Sequence, residues 1–280
     1  MGQGRIRLAA LAAAITGIFG IGTSSAAAAP PGLPVQLALG DSWAAGARAS
    51  DPATTGYVPQ LNAALRDGGY GCLPAQSEHA AERCGQLQLV NLAVGGATTP
   101  SMIAGQFPAA IELLSERNFD RNPRNDVELI TIHIGGNDVT NPILAACLGG
   151  FTPTCAQTIQ TEFAAYAADL EQALATLRLA AGPETTIVIG TYDNPIPGCQ
   201  LAAVPGAIQL GALVLEGGGP LSQGLHDIIR ATAARHDDLV AESYADLALE
   251  DWFGGSDCLH PDDSGYDKVT TAFLEALGAG

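Results

Sequence analysis

Positive charge is scarce in this chain. Twelve Lys+Arg stand against 29 Asp+Glu over 280 residues, a formal net charge of −17, and Lys268 is the only lysine. The arginines are scattered and form no basic patch. A protein that neutralises a phosphate backbone or docks on an anionic membrane needs such a patch. Nucleic acid is therefore not an expected partner, and neither is an anionic membrane. The charge does not choose between acidic and neutral small substrates. Cys-x-x-Cys is missing, and the cysteines are not spaced with histidines, which removes the usual zinc arrangements. No internal repeat is visible, and no change of composition marks a second domain. The length suffices for one substantial core.

Long apolar runs are also absent, except near the start. Arg5 and Arg7 precede an apolar stretch at 8–22 and a run of small residues at 24–29. This is the order of a secretory signal peptide, with cleavage expected within 26–29. The stretch is short for a bilayer span and is interrupted by Thr16, Gly17 and Gly20, so stable membrane insertion is not expected. The reading is a signal peptide over 1–29, a single domain over 30–280 and a secreted product. Loss of Arg5 and Arg7 would make the chain more acidic still. In an exported protein, Cys72, Cys84, Cys147, Cys155, Cys199 and Cys258 read as disulfide cysteines. Nearness in sequence suggests Cys72–Cys84 and Cys147–Cys155, which leaves Cys199–Cys258. Spacing alone does not choose among the possible pairings.

Hydrophobic patterning predicts strands at 35–39, 86–92, 127–134, 185–191 and 239–243. Helices are expected at 57–66, 158–180, 221–236 and 263–277. Strands separated by helices imply parallel pairing, hence an α/β fold: a three-layer α/β/α sandwich around a central parallel sheet of about five strands. The stretch 194–219, with Pro195, Pro197, Pro205 and three glycines at 217–219, is too long for an ordinary connection. It reads as a functional loop with a helical piece.

In an open parallel sheet, ligands bind beyond the carboxyl ends of the strands. Ser42 follows the first strand, Gly96 the second and Asn137 the third. Asp193 and Asn194 follow the fourth, and Asp257 and His260 the fifth. All fall on one edge of the sheet. A serine hydroxyl needs a base to take its proton, and His260 can serve. Asp257, three residues earlier, can orient the imidazole. The N–H groups of Ser42 and Gly96 and the side-chain amide of Asn137 can bind an oxyanion. Gly-x-Ser-x-Gly is absent, so the common nucleophile elbow does not apply. Each element also has an ordinary reading: Ser42 as a helix cap, Asn137-Asp138 as a turn, Asp257 and His260 as a helix-start cluster. Their convergence on one edge favours the site.

The segments that carry these residues, GDS at 40–42, NLAVGGATT at 91–99, GGND at 135–138 and DCLH at 257–260, resemble in order the four blocks of the SGNH (GDSL-type) hydrolases. The resemblance spans 35 to about 277 and looks nearest to secreted esterases and lipases of high-GC Gram-positive bacteria. The first block reads GDSW instead of the commoner GDSL or GDSY. The resemblance implies a flavodoxin-like fold, an acyl-serine intermediate on Ser42, an ester or lipid substrate, no cofactor and no metal, and a monomer. It favours the same three disulfides. In some members a backbone carbonyl replaces the aspartate. Three alternatives stay open: a phospholipase or lipase acting on aggregated lipid, a carbohydrate deacetylase, and a glycan- or lipid-binding module without activity. Trp43 is either a substrate-binding wall or a packing residue, and Asp41 is expected to fix the GDS turn. His133 reads as a core histidine, and His79, His226 and His236 as surface residues. Asp262, Asp263 and Asp267 read as a helix start in preference to a calcium site.

Overall fold

The computed structural model describes residues 32–67, 87–147 and 149–279. The expected signal peptide over 1–29, the Cys72–Cys84 bridge and His79 lie outside them. Strand β1 (Val35–Gly40) is buried at every position, and β3 (Val127–His133) at all but one. Near-continuous burial of this kind marks parallel strands covered on both faces. With β2 (Gln88–Asn91), β4 (Thr186–Gly190) and β5 (Leu239–Ala241) they form a five-stranded sheet of order β2-β1-β3-β4-β5. Every pairing is parallel. The winding reverses between β1 and β3, so the crevice beyond those two strand ends is the place where such sheets bind ligands.

Eight α-helices flank the sheet among the described residues. They are α1 (Tyr57–Asp67), α2 (Thr99–Gly105), α3 (Phe107–Arg117), α4 (Gly136–Cys147), α5 (Pro153–Ala181), α6 (Ala207–Glu216), α7 (Leu225–Arg235) and α8 (Asp263–Ala276). Helices α1 and α8 pack together, and Tyr57 stacks on Phe273 with ring centroids 4.8 Å apart. The long α5 packs against α2, α3, α4 and α7. The result is the expected α/β/α sandwich.

Three helices, α2, α3 and α4, were not expected from the sequence. Helix α2 has only seven residues, and α4 contains Pro142, so neither shows a clean apolar period. Helix α2 instead starts on a reciprocal cap between Thr98 and Ser101, which satisfies free backbone donors locally. Helix α5 begins five residues before the expected 158. Thr152 accepts a hydrogen bond from the Cys155 amide at 3.1 Å, with Pro153 in the first turn, where proline costs nothing. The Cys147–Cys155 disulfide ties this start to the end of α4. Helix α7 begins later than expected because Gly218 and Leu221 pair in a tight antiparallel turn. The helical piece expected in 194–219 is α6, preceded by short 3-10 turns at Ile196–Gly198 and Gln200–Ala203.

Candidate active site

The turn after β1 is built around a glycine. Gly40 has φ +133°, and a Cβ there would lie 2.1 Å from the His133 carbonyl oxygen, so no other residue fits. The Gln106 side chain brackets Gly40: its Oε1 accepts from the Gly40 amide at 2.9 Å and its Nε2 donates to the Gly40 carbonyl at 2.7 Å. The Asp41 amide donates to the His133 carbonyl at 2.8 Å. The buried Asp41 carboxylate accepts from the Trp43 amide at 2.9 Å and from the Tyr192 hydroxyl at 2.6 Å. Asp41 thus fixes the GDS turn, as expected, and Ser42 stands at the end of β1 beside the switch point.

Burial pushes the Asp41 carboxyl up to about 6, against the opposing hydrogen bonds from Tyr192 and Trp43. The folded state therefore binds more protons than the unfolded one between the usual carboxylate value near 4 and about 6, and stability falls as pH rises through that window. The expected cost at neutral pH is about 3 kcal/mol. Asp41→Asn keeps an oxygen for the Trp43 amide and carries no charge. Its melting temperature, relative to wild type, is expected to climb as pH is raised from about 4 to 7. A difference that does not change with pH would mean that the charge is carried without cost.

Beyond β5, Ser42 Oγ lies 2.8 Å from His260 Nε2. His260 Nδ1 lies 2.9 and 3.0 Å from the two oxygens of Asp257. The Asp257 carboxylate also accepts from the Leu259 amide at 3.0 Å and from Arg48 Nε at 2.6 Å. Burial raises the Asp257 carboxyl, but the bonds from His260 and Arg48 outweigh it and hold the group well below the usual carboxylate range. An ionised Asp257 fixes the tautomer with a proton on Nδ1, which leaves Nε2 free to accept from Ser42. The segment is held from several sides. The Phe253 amide donates to the His260 carbonyl at 3.1 Å, and the Trp43 indole N–H donates to the Leu259 carbonyl at 2.8 Å. The Cys199–Cys258 disulfide anchors it to the chain after β4.

The third part of the site follows β2 and β3. Gly96 has φ +79° and open space where a Cβ would stand, and a Cβ on neighbouring Gly95 would lie 3.9 Å from the Cβ of Ser42. The amides of Ser42 and Gly96 donate to no group among the described residues. Asn137, at the start of α4, donates one amide hydrogen to the Ala97 carbonyl at 3.0 Å, which leaves its second free. Asp138 receives the Thr99 amide at 3.0 Å on each oxygen and so ties the Gly95-Gly96 turn to α4. Such an arrangement can take the proton of a hydroxyl and offer three N–H donors to a developing oxyanion.

Other residues singled out in the sequence lie apart. Trp43 is only 4 % exposed and packs edge-on against Tyr192 and Trp252. Its indole N–H holds the His260 segment. His133 is fully buried, its Nε2–H donates to the Thr191 carbonyl at 2.9 Å, and burial lowers it to about 3. It is a neutral core histidine, as expected. His226 corrects the reading of a surface residue. It is completely buried, its Nδ1 is bonded to Glu216, and its Nε2 accepts from the Tyr192 amide at 3.1 Å. His226 thereby holds the residue that holds Asp41. His236 is part-buried against Glu171. Asp193 accepts from the Leu247 amide at 2.8 Å and Asn194 donates to the Ile208 carbonyl at 3.1 Å, so both brace loops. Asp262 caps α8 by accepting from the Gly265 amide, in agreement with the helix-start reading. Gln106, Tyr192 and Arg48 were missed. Each acts on a partner far away in sequence, and no local pattern signals it.

Residues 38–268 match the family described as GDSL-like lipase/acylhydrolase. No match was found among curated proteins. Several solved structures share the fold at low identity. An extracellular lipase from Streptomyces rimosus is 17% identical with a TM-score of 0.55, over 88% of this chain and 99% of that one. A lipase from a goat rumen metagenome is 19% identical with a TM-score of 0.51, over 89% and 98%. An acetylxylan esterase from Geobacillus stearothermophilus is 17% identical with a TM-score of 0.51, over 87% and 94%.

Proposed function

Because the chain belongs to the GDSL-like lipase/acylhydrolase family, we propose that it is a secreted enzyme that cleaves carboxylic esters through an acyl-Ser42 intermediate. The observation that carries this is the 2.8 Å approach of Ser42 Oγ to His260 Nε2, with Asp257 behind the ring. His260 takes the hydroxyl proton as Oγ attacks the ester carbonyl carbon. The Ser42 and Gly96 amides and the Asn137 side chain bind the oxyanion. The intermediate collapses as the alkoxide leaves with the proton from imidazolium. Water, deprotonated by His260, then attacks the acyl-serine; the bond to Ser42 Oγ breaks, Oγ takes the proton back from the imidazolium, and the carboxylic acid departs. No step calls for a cofactor or a metal. The leader pattern over 1–29 and the two disulfides among the described residues support export. No described helix is long and apolar enough to cross a membrane. The enzyme is proposed to act as a monomer.

Three exposed apolar side chains flank the site along the backbone: Val94 before the Gly95-Gly96 turn, Leu259 before His260, and Phe253, whose amide bonds the His260 carbonyl. They favour apolar acyl groups over acetylated sugars. A chain-length series of p-nitrophenyl esters, run beside phospholipid and acetylated xylan, tests this. Turnover is expected on the p-nitrophenyl esters and to exceed that on acetylated xylan. Activity confined to xylan would make the protein a deacetylase, and binding without turnover of any ester would make it a binding module.

A further inference from the structure

We propose that Arg48 is a positioning residue for the Asp257–His260 pair, an assignment that rests on the ester-hydrolase reading above. Arg48 lies six residues after Ser42 in the turn that follows β1, and its backbone adopts φ +70°. A left-handed conformation at a side chain of this size is unfavourable and persists only where its surroundings impose it. Here they do. The Ala47 carbonyl accepts from the Tyr266 hydroxyl at 2.6 Å, and the Ser50 amide and hydroxyl donate to Asp263 at 2.7 and 2.5 Å. Ala47 and Ser50, on either side of Arg48, are thus pinned to α8, which leads out of the His260 segment. The Ala47 amide also donates to the Ser42 carbonyl at 2.9 Å, so the position of Arg48 is coupled to that of the serine.

From this place Nε reaches Asp257 Oδ2 at 2.6 Å, while the guanidinium rests over the Phe253 ring, 5.0 Å from its centroid. The Asp257 side chain is 8 % exposed and that of Arg48 is 52 % exposed, so Arg48 lies between the carboxylate and solvent. An aspartate carboxylate turns easily about its last bond. The Leu259 amide holds Oδ1 and Arg48 holds Oδ2, and two donors on different oxygens fix its plane toward Nδ1 of His260. The segment carrying the serine therefore also orients the partner of the base.

The charge has a separate consequence. A guanidinium stays protonated throughout the working range. Beside Asp257 it competes with the imidazolium of His260 for the same carboxylate. The other ionisable groups near the pair are Asp41 below the serine turn and Tyr266 on α8. Removing the Arg48 charge favours protonated His260, so the acid limb of the rate profile moves to higher pH, while the loosened carboxylate lowers kcat.

Arg48→Gln and Arg48→Lys, assayed on a p-nitrophenyl ester with full pH profiles, test the proposal. For Arg48→Gln, kcat is expected to fall on the order of 10- to 100-fold, with KM little changed and the acid limb displaced upward. Arg48→Lys is expected to return the limb toward its wild-type position and to restore only part of kcat, since an ammonium cannot reproduce the directed Nε–H bond. Unchanged kcat and an unmoved limb in Arg48→Gln would overturn the proposal. So would a raised KM at unchanged kcat, which would make Arg48 a substrate contact, or a lowered melting temperature without a limb shift, which would make it structural only. If the wild type turns over no ester, the ester reading fails. The rate at which a fluorophosphonate labels Ser42 then still reports the effect of Arg48 on the base, and equal rates in wild type and Arg48→Gln would overturn it.

Discussion

Ser42→Ala is expected to abolish ester hydrolysis, with kcat falling by roughly 10⁵–10⁶, and His260→Ala is expected to be as damaging, because residues that act as a unit are not additive. Neither loss should be one of folding. Ser42 Oγ has no partner besides His260 among the described residues, and the turn around it is held by Gln106, Asp41 and Tyr192. A fluorophosphonate should label Ser42 in the wild type and label nothing in the alanine variant. The wild-type kcat/KM should fall on the acid side within about pH 5–8, the range in which histidine titrates. Labelling of a different serine would remove Ser42 as nucleophile, and a flat profile over that range would remove histidine as base.

Asn137→Ala is the second large effect. Loss of one oxyanion donor typically lowers kcat by about 10²–10³, with KM nearly constant, because the oxyanion exists only near the transition state. Asn137 also holds the Ala97 carbonyl, so part of the loss could arise from a displaced Gly95-Gly96 turn. Asp138 offers the control. Its two bonds to the Thr99 amide survive in Asn137→Ala and keep that turn tied to α4. A raised KM at unchanged kcat would show that Asn137 binds substrate and does not stabilise the transition state.

The parts legible in sequence were those with a local signature. The buried strands β1 and β3 announced themselves by short runs dominated by apolar and β-branched residues, and the amphipathic α5 by its apolar spacing. The candidate residues were visible because each follows a strand end, and a parallel sheet puts all strand ends on one edge. What could not be read was what holds them. Gln106 grips Gly40 across 66 residues, Tyr192 reaches Asp41 across 151 and Arg48 meets Asp257 across 209. None of these bonds leaves a period or a turn motif behind. His226 was misread for the same reason: its charge-bearing neighbours Asp227 and Arg230 suggest a wet helix face, while its own ring points inward, between Glu216 and the Tyr192 amide. Helices α2 and α4 were missed because caps and a disulfide define them, and apolar spacing does not.

The two atoms proposed to carry the chemistry, Ser42 Oγ and His260 Nε2, belong to residues 218 positions apart. A ribosome delivers the serine well before the histidine, with strands β2 to β5 between them. The intervening strands β2 to β5 must each take their place before the edge that receives His260 exists, and α8, which follows His260, pins the segment that carries Arg48. Contacts of such long sequence separation form late, since loop closure must precede any reward from the contact. A growing chain that has not yet reached residue 260 thus carries a serine with no base beside it. The Ser42–His260 pair proposed for catalysis therefore comes together only after both ends of this span have been made.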